Sequence, residues 1–317
     1  MNDTLLITGA NGFLGSALVA ASYPGFNPLG LYREAPGRGA VADLIDEAQV
    51  KALCNGRPFR TIVHCAGLAH QTRYKSGEET YFAINARATE SLARAAARAN
   101  PQVHFIFLSS VSVYGEEGRL GGSPLDEAAA CSPSGAYAAS KLAAEKRLQN
   151  LVDTGVLKHL DILRLAPVYD GNWHLNLDRR VLGPGKGFFL RFGSGKQRIS
   201  ALARPNLVGF IQHLLAQGPG EGMRIFNVCD ARPYTFGALI EALSPLYPHR
   251  PVLPCPLGVI WAISRAGGLL FPRNKAWWHG CHGKLARDMV YGVDEMLGTG
   301  FWPPYDLEMV FNRNGIG

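Results

Sequence analysis

A chain of 317 residues with 47% hydrophobic and 18% charged side chains has enough apolar surface for a large core, which excludes an intrinsically disordered protein. The length exceeds that of a usual single domain and fits one large α/β unit with a smaller appendage. The balance of 32 Lys and Arg against 25 Asp and Glu, a formal charge of +7, favours anionic ligands, but no basic run of the nucleic-acid type occurs and no nucleic-acid partner is expected.

The first element in chain order is the apolar run "TLLIT", expected to be a strand. It lacks a basic n-region, and the glycine-rich stretch that follows does not suit a signal peptide. That stretch, Gly9-Ala10-Asn11-Gly12-Phe13-Leu14-Gly15, is a GxxGxxG pattern opening the helix "FLGSALVAAS". Glycines here permit a tight turn and a close approach of backbone to a pyrophosphate, while the helix N-terminus attracts the phosphate charge. Dinucleotide binding is the expected role. At the end of the second strand, "PLGLY", comes "REAPGR". An acidic residue there would grip a ribose 2′-hydroxyl, whereas Arg33, with Arg38, would pair a 2′-phosphate. The reading leans to NADP, with NAD as the alternative because Glu34 is adjacent.

Further runs alternate: "DEAQVKALC", "TIVHCAG", "AINARATESLARAAARA", "VHFIFLSS", "AYAASKLAAEKRLQNLV" and "LDILRLA". Nearly all-apolar strands between helices predict a doubly wound parallel sheet covered on both faces, ending near residue 168. Within it, Tyr137 and Lys141 lie four apart on one helix and share a face. A phenol of ordinary pKa, ~10, carries protons poorly at neutral pH unless a cation stabilises the phenolate, and Lys141 is placed to do this. Ser109 and Ser110 end the preceding strand at the carboxyl edge of the sheet, where a hydroxyl can bond the same substrate oxygen as Tyr137. Beyond residue 168, Gly- and Pro-rich loops with helices at 206–217 and 236–246 predict a smaller cap over residues 169–317, parts of which are free to return to the sheet. The segment 257–271, "LGVIWAISRAGGLLF", is too short and interrupted to span a membrane. It reads as a docking or interfacial helix, and no integral membrane segment is expected.

Six cysteines, Cys54, Cys65, Cys131, Cys229, Cys255 and Cys281, are widely spaced without a CxxC pair. Neither a zinc ribbon nor a disulfide framework is indicated, and a reducing cytoplasm is the expected compartment. The stretch "HGCH" (279–282) has ligand-type side chains but no second cluster, so no metal is expected.

Taken together, "TGANGFLG", "ADL", "HCAG", "IN" before an alanine-rich helix, "SSVSVYG", "YAASK" and "FWPPYDLE" resemble an extended short-chain dehydrogenase/reductase of the nucleotide-sugar epimerase/dehydratase group, over essentially the whole chain. The resemblance implies Ser110, Tyr137 and Lys141 as the catalytic set. It also implies Asp43 and Leu44 at the adenine, Ala66, Gly67, Pro167 and Val168 along the cofactor, and Asn85 supporting the active-site side. Sugar dehydratases of the group carry Asp-Glu where Val111 and Ser112 stand, so elimination of water is not expected, and Ser112 becomes a substrate candidate. Galactose-type 4-epimerases place Asn-Pro after the arginine of the sixth strand. This chain reads Arg164-Leu165-Ala166-Pro167-Val168, which resembles the branch of deoxysugar 4-ketoreductases and amino-sugar epimerases of surface-polysaccharide synthesis. "GSGKQRIS" resembles the stretch whose arginine grips the diphosphate, which falls on Arg198, and Asn176 is a further substrate candidate.

The leading expectation is NAD(P)-dependent oxidoreduction at carbon 4 of a nucleotide-diphosphate sugar, as a 4-keto reduction. A 4-epimerase that retains NAD is the first alternative. A non-catalytic dinucleotide-binding sensor or assembly protein is the second, since fold alone does not dictate function. The resemblance also implies a homodimer through the helices of Asn85 and Tyr137.

Overall fold

The run "DTLLIT" forms β1 (Asp3–Thr8), with Leu5, Leu6 and Ile7 fully buried. The computed structural model describes residues 3–34, 39–69, 77–115, 123–271 and 275–312. In it β1 is joined by β2 (Phe26–Tyr32), β3 (Ala40–Val41), β4 (Thr61–His64), β5 (His104–Ser110), β6 (His159–Leu165) and β7 (Gly222–Val228). These make a seven-stranded sheet in the order β7-β6-β5-β4-β1-β2-β3. β1 pairs in parallel with β2 and β4, β2 with β3, and β4 with β5. The chain therefore winds outward from β1 in one direction and then, from β4, in the other, which creates a switch point at the carboxyl ends of β1 and β4.

The helices of this half are α1 (Phe13–Ala20), α2 (Glu47–Gly56), α3 (Glu78–Phe82), a π-helical turn (Ala83–Arg87), α4 (Ala88–Ala99) and α5 (Ala136–Asp153). Asp46 caps α2 by accepting from the Ala48 and Gln49 N–H groups. Val50, Leu92, Phe105, Leu148 and Ile162 meet in one buried core, as the alternation of apolar runs requires. A buried polar tie adds to it: Asp161 on β6 accepts from Arg224 on β7 at 2.7 Å through each of its oxygens and bonds His104 Nε2 on β5 at 2.7 Å.

Contacts divide the chain into two units. One runs up to Val113 and includes Cys131–Arg164 and Val208–Phe226; the other takes Tyr114–Ala130, Leu165–Leu207 and the chain from Asn227 on. β7 thus returns to the sheet from late in the sequence. The second unit has its own core of Tyr169, Leu177, Phe189, Ile199, Phe236 and Leu239. It contains α6 (Leu175–Val181), α8 (Phe236–Leu243), α9 (Leu257–Leu270), α10 (Lys275–Ala286), α11 (Asp294–Gly298) and α12 (Leu307–Asn312), while α7 (Arg204–Gln217) begins in it. Asp230 ties it together, accepting from Tyr169, Tyr234, Asn206 and the Ala203 N–H, and burial pushes its pKa up to about 6. No helix among the described residues is long and apolar enough to cross a membrane.

Candidate active site

The glycine turn sits at the switch point. Gly9 has φ +65, and a Cβ on it would stand 2.9 Å from the Ala66 backbone, so only glycine fits both the conformation and the space. A Cβ on Gly15 would collide with the Gly9 carbonyl oxygen, which lets α1 pack directly on the turn. Gly12 N–H closes the turn on Gly9 O at 2.9 Å, and no side chain caps α1. Asn11 is exposed, with Phe13 and Leu14 half-buried at the first turn of the helix.

A chain of hydrogen bonds runs from this turn to the opposite side of the crevice. The N–H groups of Cys65 and Ala66 donate to Thr8 Oγ1 at 3.1 and 3.0 Å. With both lone pairs of Thr8 occupied, its hydroxyl proton goes to His64 Nδ1 at 2.8 Å. His64 Nε2–H then donates to Thr89 Oγ1 at 2.8 Å, whose own proton goes to Asn85 O at 2.8 Å. With Nδ1 accepting from Thr8, the proton of the neutral His64 ring sits on Nε2. Burial, helped by the charge of Lys141, lowers its pKa to about 3 and keeps it neutral. Asn85 lies in the π turn, where the extra residue lets its side chain reach inward, as such turns often do at functional sites. Its amide accepts from Leu68 N–H at 2.6 Å, donates to Leu68 O at 3.0 Å and donates to Ser140 Oγ at 2.9 Å. Asn85 thereby clamps the chain after β4 to α5. A Cβ on Gly67 would stand 3.1 Å from Asn85 Oδ1 and 3.4 Å from Lys141 Nζ, so Gly67 borders both groups.

The two strand-end serines part company here, because alternation along β5 sends successive side chains to opposite faces. Ser109 donates to the buried carboxylate of Glu145 on α5, which is also paired with Arg164 at 2.8 Å. Ser110 instead bonds the Tyr137 phenol, while the Ser112 N–H donates to Ser110 Oγ at 3.2 Å. Lys141 is 5% exposed, donates to Leu108 O at 2.7 Å and lies 4.6 Å from the Phe107 ring centroid. Burial lowers its pKa to about 8, against raising influences from Cys65 and Glu145. The expectation that the phenol would be acidified needs correcting. Burial raises the Tyr137 pKa, with the hydrogen bond to Ser110 opposing it. The Ser112 hydroxyl is buried and has no hydrogen-bond partner among the described residues, two positions after Ser110.

This site lies in the stretch covered by a sequence profile described as the NAD dependent epimerase/dehydratase family, which matches residues 5–181. The chain belongs to that family. Its curated relatives include an N-acetyl-alpha-D-glucosaminyl-diphospho-ditrans,octacis-undecaprenol 4-epimerase of Escherichia coli O157:H7, 28% identical over 82% of this chain and 78% of the relative. A dTDP-4-dehydrorhamnose reductase of Mycobacterium tuberculosis is 28% identical over 77% of this chain and 81% of its own. Among solved structures, a short-chain dehydrogenase/reductase superfamily protein of Agrobacterium tumefaciens with bound NAD superposes with a TM-score of 0.73 at 20% identity, covering 98% of this chain and 95% of that one. RMD of Pseudomonas aeruginosa complexed with NADPH gives 0.70 at 18% identity, covering 98% and 96%. The protein is therefore an NAD(P)-dependent enzyme of the reductase and epimerase group, with a Rossmann-type doubly wound sheet.

The residues of this family member fit a dinucleotide. Gly9, Gly12 and Gly15 form a turn that no Cβ would enter, α1 presents an N-terminus without a side-chain cap, and Gly67 leaves room beside Lys141. Arg33 directly follows β2. Its side chain is 77% exposed and pairs with Asp43 at 3.5 Å, a single surface contact of little strength. Arg38 lies outside the described residues. Leu44 is half-buried against the core next to Asp43. Pro167, Val168, Asn176 and Arg198 belong to the second unit. Val168 is in register with Leu202, the Pro167 carbonyl accepts from Leu202 N–H at 3.1 Å, and Asn176 is a half-buried residue of α6. The Arg198 guanidinium is held by Asp288 at 2.9 and 3.0 Å. No three-residue metal-ligand cluster occurs among the described residues, outside which lie the side chains of His279 and Cys281. Cys54, Cys65, Cys131, Cys229 and Cys255 form no disulfide among the described residues. Sequence reasoning missed the roles of Thr8, His64, Thr89 and Glu145. The first two were visible as the residues before the two glycine-bearing turns, whereas nothing local marks Thr89 or Glu145.

Proposed function

We propose that the protein reduces the 4-keto group of a nucleotide-diphosphate sugar with NADPH. What supports this reading is the buried Tyr137 phenol bonded to Ser110, together with the exposed Arg33 directly after β2. The phenol gives its proton to a carbonyl oxygen in the reductive direction and takes one from a hydroxyl in the oxidative direction. When bound, the nicotinamide supplies the hydride. Ser110 orients the substrate oxygen through its hydroxyl, Tyr137 donates the proton, and Lys141, 5% exposed, holds the ribose. Arg33, exposed after β2, supports NADP over NAD by offering a guanidinium to the 2′-phosphate. Ser112, Asn176 and Arg198 are the proposed substrate contacts, Arg198 after exchanging part of its bond to Asp288 for the diphosphate.

A second reading, 4-epimerisation with retained NAD, is supported by the names of the Escherichia coli relative and of a UDP-glucose 4-epimerase of Vibrio cholerae that is 28% identical over 77% of this chain. Incubation with a 4-keto nucleotide sugar and NADPH deuterated at the transferable position separates the two. Reduction delivers one deuterium per turnover and an equivalent of NADP. Interconversion of two 4-hydroxy epimers without label or net NADPH consumption would overturn the reductase. The proposal includes a cytoplasmic enzyme and a homodimer formed through α4 and α5, which light scattering of the purified chain tests.

A further inference from the structure

In a soluble protein an amphipathic helix turns its large apolar residues inward. α9 does the reverse. Its buried stripe is Ile260, Ser264, Gly267 and Gly268, mostly small, and a Cβ on Gly267 would collide with the Trp278 ring of α10. The large residues point out: Val259 is 46% exposed, Trp261 53%, Ile263 55%, Leu269 81% and Leu270 73%, followed by Phe271 at 55%. Val252 and Leu253, on the short strand before the helix, are each 43% exposed. Eight of the thirteen exposed large hydrophobics among the described residues therefore fall between 252 and 271, too concentrated for scattered surface apolarity.

Charge says what covers this face. From residue 242 to residue 287 the sequence has no Asp or Glu, but it has Arg250, Arg265, Arg273, Lys275, Lys284 and Arg287. The Arg265 guanidinium lies 5.5 Å from the Trp261 ring centroid, so an aromatic with a cation over it stands on the exposed helix surface. A second copy of this chain would bring this segment against itself, cations against cations, with no carboxylate in the segment to pair them. A bilayer containing anionic phospholipid matches both properties, taking the apolar side chains at the acyl boundary and the Arg265 guanidinium among the headgroups. With 14 residues, α9 is about 21 Å long, which suits a helix lying in the interface and not one crossing a hydrocarbon core of ~30 Å.

We propose that α9, with Val252, Leu253 and Phe271, is a membrane-docking surface that holds the enzyme on an anionic phospholipid bilayer. The inference does not depend on which reaction the site performs, and its test needs neither cofactor nor sugar. The intact protein is floated on a density gradient with vesicles of phosphatidylcholine alone or of phosphatidylcholine mixed with phosphatidylglycerol. Wild type is expected to float with the mixed vesicles and poorly with phosphatidylcholine alone, and high salt should weaken the association. The double variant Leu269→Glu, Leu270→Glu, both changes at exposed positions, should lose at least ~10-fold in bound fraction while keeping its melting temperature. Trp302→Glu, at an apolar side chain 62% exposed elsewhere, should float as wild type does. Wild type remaining at the bottom with mixed vesicles, or the double variant floating undiminished, would overturn the proposal. So would an apolar self-association of wild type, abolished by the double variant, in the absence of any vesicle binding.

Discussion

Replacing Lys141 by Met is expected to abolish turnover and yet make the protein relatively more stable at neutral pH. Lys141 is 5% exposed, and burial takes its amine from the usual lysine value of 10.5 to about 8. A folded-state pKa below the unfolded one means that the unfolded chain binds more protons between those two values, so stability rises with pH across that window. Below about 8 the folded protein carries the whole penalty of the buried ammonium, about 3 kcal/mol, and by 10.5 the penalty is gone. Met keeps the length of the stem and removes the charge, but strips Leu108 O of a donor at 2.7 Å, which costs about 1–3 kcal/mol. The net gain at pH 7 is therefore small. The change with pH is the larger signal: the stability of the variant minus that of wild type should fall by about 3 kcal/mol between pH 7 and pH 10.5, several degrees in melting temperature. Paired thermal melts of the cofactor-free proteins across that range measure it, with all other titrating groups common to both. A difference that does not vary with pH, or one that grows towards pH 10.5, would refute the claim that Lys141 is an ammonium held in the core against its hydration.

Tyr137→Phe should lower turnover by ~10²-fold or more while leaving NADPH affinity nearly intact, because it removes the proton donor bonded to Ser110 and little volume. Single-turnover kinetics beside a fluorescence titration check both halves, and near-normal turnover would remove Tyr137 from the chemistry. Arg33→Asp should weaken NADPH by about 1–3 kcal/mol and leave NADH nearly unchanged, since among the described residues the guanidinium pairs only weakly, with Asp43 at 3.5 Å. Equal losses for the two cofactors would contradict the 2′-phosphate assignment.

How much of this was legible beforehand differs from residue to residue. Strand and helix alternation, the glycine turn at 9–15 and the shared face of Tyr137 and Lys141 follow from neighbours within a few positions, and local pattern is enough to read them. The inward or outward sense of α9 is another matter. Its composition marks an apolar helix, but only the packing of Trp278 against Gly267 decides that the large side chains face out. The choice between Ser109 and Ser110 likewise hangs on Glu145, 36 residues away, which takes the first and leaves the second for Tyr137.

The sequence by itself determined the order of elements, the backbone cradle for a dinucleotide and the chemical types in the catalytic set, because each is written in short-range spacing. Tertiary structure alone decided their electrical state. The neutral Nε2–H form of His64 depends on Thr8 and Thr89, which are 56 and 25 residues from it. The raised pKa of Tyr137 and the lowered pKa of Lys141 depend on how completely the fold removes them from water. Desolvation is a property of everything packed around a group, and no local pattern of residues encodes it.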